Sequence, residues 1–441
     1  LNLGSLKLGD MSEADIKNEF SSITSQLTNG KLLGGGNYYT EAAAGSAGDK
    51  VAVAGSFAVN VFTDTTEAVI GANSKINASS GMVTLTSSND TVARSLAGSL
   101  AVGGNVGVGV SSADVASTNV TTSHIDAGVQ ISNSTGIELF ATNKQDVELI
   151  GIAGGVSGTV AVGGVANVIT LNNSAQAYVA DSAATSLVST GGFQASATNT
   201  VTGMNIASGL SASGSVGVGI AAAVNTLGTD STNQFVTKAY LGNDVTLNAG
   251  TATKVSASAS EDITTFAIAG AASGSVSVGG AAVVDVMNTD TAAYIGDRAK
   301  INKGQTLNTQ SVDVGAQDSS NLFNVVVGVG AGGNVGVGAS GDVAVIAKST
   351  QAYLGNGSWV ETAGDVKAQA ASSENFRSLV IGLGVGGAVG GAGSASVYSL
   401  TGSTLGYIDD GAHVAAAGNV VVGADSSTQF GMIAGAAGVG G

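Results

Sequence analysis

From Lys50 onward, apolar and very small residues alternate over runs of four to eight positions, and short polar clusters separate the runs. A period of two predicts β-strands, and no stretch in this part of the chain carries a helical period. The clearest run recurs seven times: Lys50–Ala54, Asn105–Gly109, Thr159–Gly163, Ser215–Gly219, Ser275–Gly279, Asn334–Gly338 and Ala388–Ala392. Its first valines, Val51, Val106, Val160, Val216, Val276, Val335 and Val389, lie 55, 54, 56, 60, 59 and 54 residues apart. A second motif, Ala-Tyr-aliphatic-Gly-(Asp/Asn), follows each one and is clearest at Ala293–Asp297. A fixed period of this size predicts stacked supersecondary units. The expected fold is therefore all-β: a parallel β-solenoid of seven 54–62-residue repeats spanning 42–441. Asn288-Thr289-Asp290 and Gln317–Asn321 read as polar turns between short strands, which favours two coils per repeat.

Alternate residues of a strand share a face, so each repeat position builds a column. The residue after the first valine is always tiny: Ala52, Gly107, Ala161, Gly217, Ser277, Gly336 and Gly390. Glycine in a strand is unfavourable by roughly 0.5–1 kcal/mol relative to alanine. Its recurrence implies that something approaches closely, either a second layer of the chain or a laterally docked molecule. In the second motif, Val69, His124, Tyr178, Tyr240, Tyr294, Tyr353 and Tyr407 form another column. An aliphatic residue follows each of them. With the aliphatic inward, the tyrosines face outward as a ladder, either structural or a stripe for a host glycan or protein. Two positions beyond the aliphatic stand Ala72, Ala127, Asp181, Asn243, Asp297, Asn356 and Asp410. Alternating Asp and Asn suits a ladder of Asx side chains; the other reading is calcium bridging between coils through Asp181, Asp297 and Asp410.

Residues 1–41 break the pattern. Ile16, Phe20, Ile23 and Leu27 share one helical face, Ser12 and Asp15 resemble a capping box, and Gly30 is a plausible stop. A helix over Met11–Asn29 is expected, covering an end or flank of the solenoid. The final residues repeat the approach to an eighth valine strand, which suggests a longer protein.

Composition narrows the function. Proline and cysteine are absent, so disulfides and thiolate metal sites are excluded. The net charge of −16 disfavours nucleic acid. Two histidines, His124 and His413, occupy different repeat positions and supply no triad or zinc site. The GxGxxG strings at Gly328–Gly333 and Gly382–Gly387 sit inside strand alternation rather than at a helix start, so no nucleotide site is expected. Leu379–Val397 lacks charge but repeats the strand pattern seen elsewhere, so no transmembrane segment is expected. Carboxylates placed mostly in turns and aromatics at 4% argue against a carbohydrate-active enzyme.

Ser275–Ala281 with Ala293–Ile301 resembles the repeats of fusobacterial leukotoxin-type, haemagglutinin-like filamentous adhesins, over roughly 42–441. Val69 and His124 depart from it, where tyrosine is expected. The resemblance implies a large secreted surface protein of a Gram-negative bacterium. The expected function is a structural or adhesive extracellular filament, stalk or fibre, self-associating head to tail or laterally and using no cofactor. A secreted toxin acting on host membranes is the alternative.

Overall fold

The computed structural model describes residues 37–229, 235–306 and 310–441. The helix expected over Met11–Asn29 lies outside the described residues. Among the described residues every regular element is a strand and every strand pairing is parallel. The strands form three sheets. Sheet A runs from Tyr38–Gly48 to Val420–Val439, sheet B from Val51–Ile70 to Val389–Ile408, and the narrow sheet C from Lys75–Asn77 to His413–Ala416.

One coil illustrates the rest. The sheet B strand Val276–Ile295 leads through a turn to the two-residue sheet C strand Lys300–Ile301, then to the sheet A strand Val312–Gly332. A two-residue turn at Gly333-Asn334 reverses the chain into the next sheet B strand, Val335–Leu354. Val276 pairs directly with Val335, and Tyr294 with Tyr353. Each repeat is thus one wide coil, not the two expected from the sequence. The residues read as turns lie mid-strand: Asn288-Thr289-Asp290 within Val276–Ile295, and Gln317–Asn321 within Val312–Gly332. Their inward-pointing polar groups find partners across the interior, so the strands reach 20–22 residues without breaking.

The interior tapers. At the sheet C edge, where the three sheets meet, Ile125, Leu139, Leu187, Phe193, Leu241 and Ile295 fill a broad apolar core. Nearer the tight turn, a second layer holds Leu149, Ile169, Phe235, Ile346 and Phe376. Beyond it only alanine and valine fit, and finally glycine and alanine. Polar layers containing Asn225, Asp285 and Asn324, and Gln145, Asn173 and Asp318, separate the apolar ones. At the turn, a Cβ on Gly158, Gly214, Gly274, Gly333 or Gly387 would collide with the carbonyl oxygen of the glycine one coil below, which explains this column of glycine.

Candidate functional site

The tiny column faces inward. Gly107, Gly217 and Gly336 are buried, and Gly390 is half-buried in the last coil. A Cβ on Gly336 would sit well inside van der Waals contact of the Val385 carbonyl oxygen, and one on Gly390 would meet Val439 in the same way. Sheet A of the same chain covers the strip, so the lateral docking face considered for Gly107, Gly217, Gly336 and Gly390 is not available. The glycines are there because sheets A and B converge toward the tight turn.

The flanking valines therefore face solvent. Val51 is 60% exposed and Val389 54%. Pairing in register extends this outer face of sheet B over six columns, those of Val276, Val278, Gly280, Ala282, Val284 and Val286 in the fifth coil. Asp114 is the single charged side chain among them. Seven strands about 4.8 Å apart and ten residues of width at about 3.3 Å each give roughly 1,000 Å². That exceeds the few hundred Å² of a typical exposed apolar patch. Sequence alternation marked these valines but could not say which of two alternating faces was buried.

On the same face, at the far end of the strands, the tyrosine column stands as expected. Ile125, Val179, Leu241, Ile295 and Leu354 point inward and are fully buried. The rings of His124, Tyr178, Tyr240, Tyr294, Tyr353 and Tyr407 stack face to face with centroids 5.0, 4.8, 4.7, 4.8 and 4.8 Å apart. That spacing matches the strand separation, so the sheet sets the stack. Burial between neighbouring rings pushes the phenols of Tyr240, Tyr294 and Tyr353 well up, keeping them neutral. His124, which replaces tyrosine, lies 3.2 Å from Asp126 and 3.6 Å from Glu67.

The Asx column forms a coil-to-coil ladder. Asp181 accepts the Asn243 backbone and side-chain N–H at 2.8 Å each, Asn243 accepts the Asp297 N–H at 2.7 Å, and Asp297 accepts the Asn356 N–H at 3.0 Å. Asp410 leaves the series, its N–H bonding Asp409 instead. The oxygens of Asp181 and Asp297 considered as calcium ligands are thus engaged by neighbouring coils. Among the described residues no group of three or more His, Cys, Asp or Glu is placed to hold a metal ion. The glycine strings at 328–333 and 382–387 lie within sheet A and its turn, not at a helix start.

Two buried ionisable clusters carried no sequence signal. In the first, Asp285 accepts from Asn225 at 2.7 Å and from Asn324 at 2.6 Å, while Asn324 also donates to Asp342 at 3.0 Å. Tyr398 and Ser378 donate to Asp342 as well. Burial pushes the Asp285 carboxyl up to about 7, against the two amide donors, which act to lower it. The folded chain therefore retains a proton that the unfolded chain releases near pH 4. The stability this group contributes is full below pH 4 and is lost as pH rises through 7, on the order of 4 kcal/mol over about three pH units. Asp285→Asn is expected to flatten the pH dependence of the melting temperature between pH 4 and 8 relative to wild type, read by circular dichroism.

The second cluster joins sheets A and B. Lys348 Nζ lies 2.6 Å from Asp318 Oδ1 and 3.5 Å from Glu374 Oε1, and all three side chains are at most 4% exposed. Burial, then the charge of Asp318, pushes the Glu261 carboxyl well above the usual carboxylate range. The surrounding carboxylates outweigh desolvation at Lys348 and hold its ammonium charged.

No protein-family model, curated protein or solved structure matches this chain. The fold by itself defines the class: a repeat protein built as a parallel β-solenoid, one coil per repeat. No helix among the described residues is long and apolar enough to cross a membrane.

Proposed function

We propose that this chain is a rod segment of an extracellular structural or adhesive filament, exported by a Gram-negative bacterium and bundled sideways through sheet B. The observation that carries the reading is the apolar outer face of sheet B. Its roughly 1,000 Å² exceeds the ~800 Å² that each partner contributes to a standard protein interface. Two such faces can pack as aligned sheets about 10 Å apart. The repeat resemblance to leukotoxin-type adhesins supports the extracellular setting. The tyrosine ladder, on the same face but beyond the apolar columns, is the stripe left for a host glycan or protein.

The same face favours one further reading, a toxin that lays sheet B on host lipid. The two readings separate experimentally. Val343 and Val345 are 40% and 50% exposed. Val343→Lys with Val345→Lys is expected to dissolve the bundles seen by electron microscopy and to shift the light-scattering mass to that of a single rod, with little change in melting. Wild-type chains that remain single rods at high concentration and release dye from phosphatidylcholine vesicles would sink the filament reading in favour of the toxin.

A further inference from the structure

The buried Lys348 cluster has the composition and geometry of a self-condensing site. Five strands meet there. Sheet B supplies Lys348 from Val335–Leu354, and Thr289 and Thr291 from the neighbouring Val276–Ile295. Sheet A supplies Glu261 from Thr253–Ser273, Asp318 and Ser320 from Val312–Gly332, and Glu374 from Val366–Gly386. The nucleophile and its target already touch: Lys348 Nζ is 2.6 Å from Asp318 Oδ1. The other oxygen, Asp318 Oδ2, accepts from the hydroxyls of Thr291 at 3.0 Å and Thr289 at 3.3 Å. Lys348 Nζ also donates to Ser320 Oγ at 2.5 Å, and Ser320 Oγ donates to Glu261 Oε2 at 2.6 Å. Glu261 lies within hydrogen-bonding reach of Asp318. Glu261 Oε1 is buried with no other hydrogen-bond partner, as expected if its proton points to Asp318, whose Oδ1 is also met by the Lys348 ammonium.

We propose that Lys348 and Asp318 condense spontaneously into an amide cross-link between sheets A and B, independently of whether the chain forms a filament.

The step balances without an external reagent. The resting pair is an ammonium and a carboxylate. Proton transfer frees the Nζ lone pair, which attacks Asp318 Cγ, and a bond forms between Nζ and Cγ. The negative charge that develops on Oδ2 meets two hydroxyl donors already in place, an arrangement that stabilises a tetrahedral intermediate. The bond between Cγ and Oδ1 then breaks, and Oδ1 leaves as water. Nζ gives up two protons in all. One crosses directly to Oδ1; the other enters Glu261 through Ser320 as Glu261 passes its own proton to Oδ1. Glu261 ends protonated, as it began, and acts as the acid–base relay. Glu374, with Oε1 3.5 Å from Nζ, holds the lysine in the cluster.

Two physical terms favour the product. Amide formation from amine and acid is unfavourable in bulk water, but the side chains here are at most 4% exposed, so bulk water is kept from the amide, and the one water released leaves when the strands open transiently. The reaction also replaces two buried charges, each costly to desolvate, with one neutral amide. Contact between the reacting groups removes the entropy of bringing them together. In a chain without cysteine, such a bond is a covalent staple across the coil.

Mass spectrometry of the full 441-residue chain decides the matter. After denaturation, the wild type is expected to be lighter than its sequence mass by one water. Trypsin is expected to leave Lys348 uncut and to yield a branched peptide joining the segments that carry Lys348 and Asp318. Lys348→Arg and Asp318→Ala are expected to restore the full sequence mass. Glu261→Gln is expected to give a mixture that shifts slowly toward the lighter species. Wild-type chain of full sequence mass, cleaved normally after Lys348, overturns the proposal, and this reading needs no variant to fold. Loss of water with Lys348 still cleavable, as from succinimide formation at Asp410-Gly411, overturns it equally.

Discussion

Gly336→Ala is expected to be strongly destabilising, while Gly217→Ala, at the same position of another coil, is expected to be close to neutral. A Cβ on Gly336 has no room against the Val385 carbonyl oxygen, which the sheet A ladder holds in place. Sheets A and B must then separate locally, and about 3 kcal/mol, the upper end of ordinary overpacking, is expected. At Gly217 the nearest atom to an added Cβ is the Ala272 carbonyl oxygen at 3.0 Å, tight but adjustable by a small shift. There the gain in strand propensity, roughly 0.5–1 kcal/mol, offsets most of the strain. Ala52, Ala161 and Ser277 occupy this column in other coils, so the inter-sheet gap varies from coil to coil. Urea midpoints, with hydrogen exchange to localise the change, check the pair. Equal effects at both positions would mean that sheets A and B are not held at these separations.

Lys348→Met is expected to produce the other large effect, a loss of about 3–5 kcal/mol, because it leaves Asp318 and Glu374 buried without a cation. Adding Asp318→Asn is expected to recover part of the loss, since the stranded charge is then reduced. A double-mutant cycle measures that coupling, and near-additivity of the two changes would contradict it. The comparison holds whether the two side chains are joined by an ion pair or by the proposed amide, since either way methionine removes the partner of Asp318.

The Gly336 and Lys348 sites differ in how legible they were. The column containing Gly336 was visible in the sequence because it repeats. Seven tiny residues at one repeat position imply a close approach, and only the identity of the approaching layer was missing. Lys348 repeats nowhere: Thr289 and Gly402 stand at its register position in the neighbouring coils, and the column that Glu261 and Glu374 share is broken by Val201, Ser320 and Thr428.

The repetition of side-chain size and period along the chain was enough to predict a parallel β-solenoid and to mark the aliphatic, tyrosine and Asx positions as stacked columns. These follow from local alternation and from the identity of stacked residues, both of which are one-dimensional. Tertiary structure alone decided that each repeat closes in one coil, that sheet A covers the glycine strip, and that the valines face out. The physical reason lies in the polar residues mid-strand. Thr289, Thr291 and Asp318 look like turn residues when each must be satisfied by local backbone or water. Across the interior they satisfy one another, through hydrogen bonds that span 27 and 29 positions of the chain. Which groups become mutual partners depends on sheets A and B closing face to face, and that closure is a property of the stacked coils.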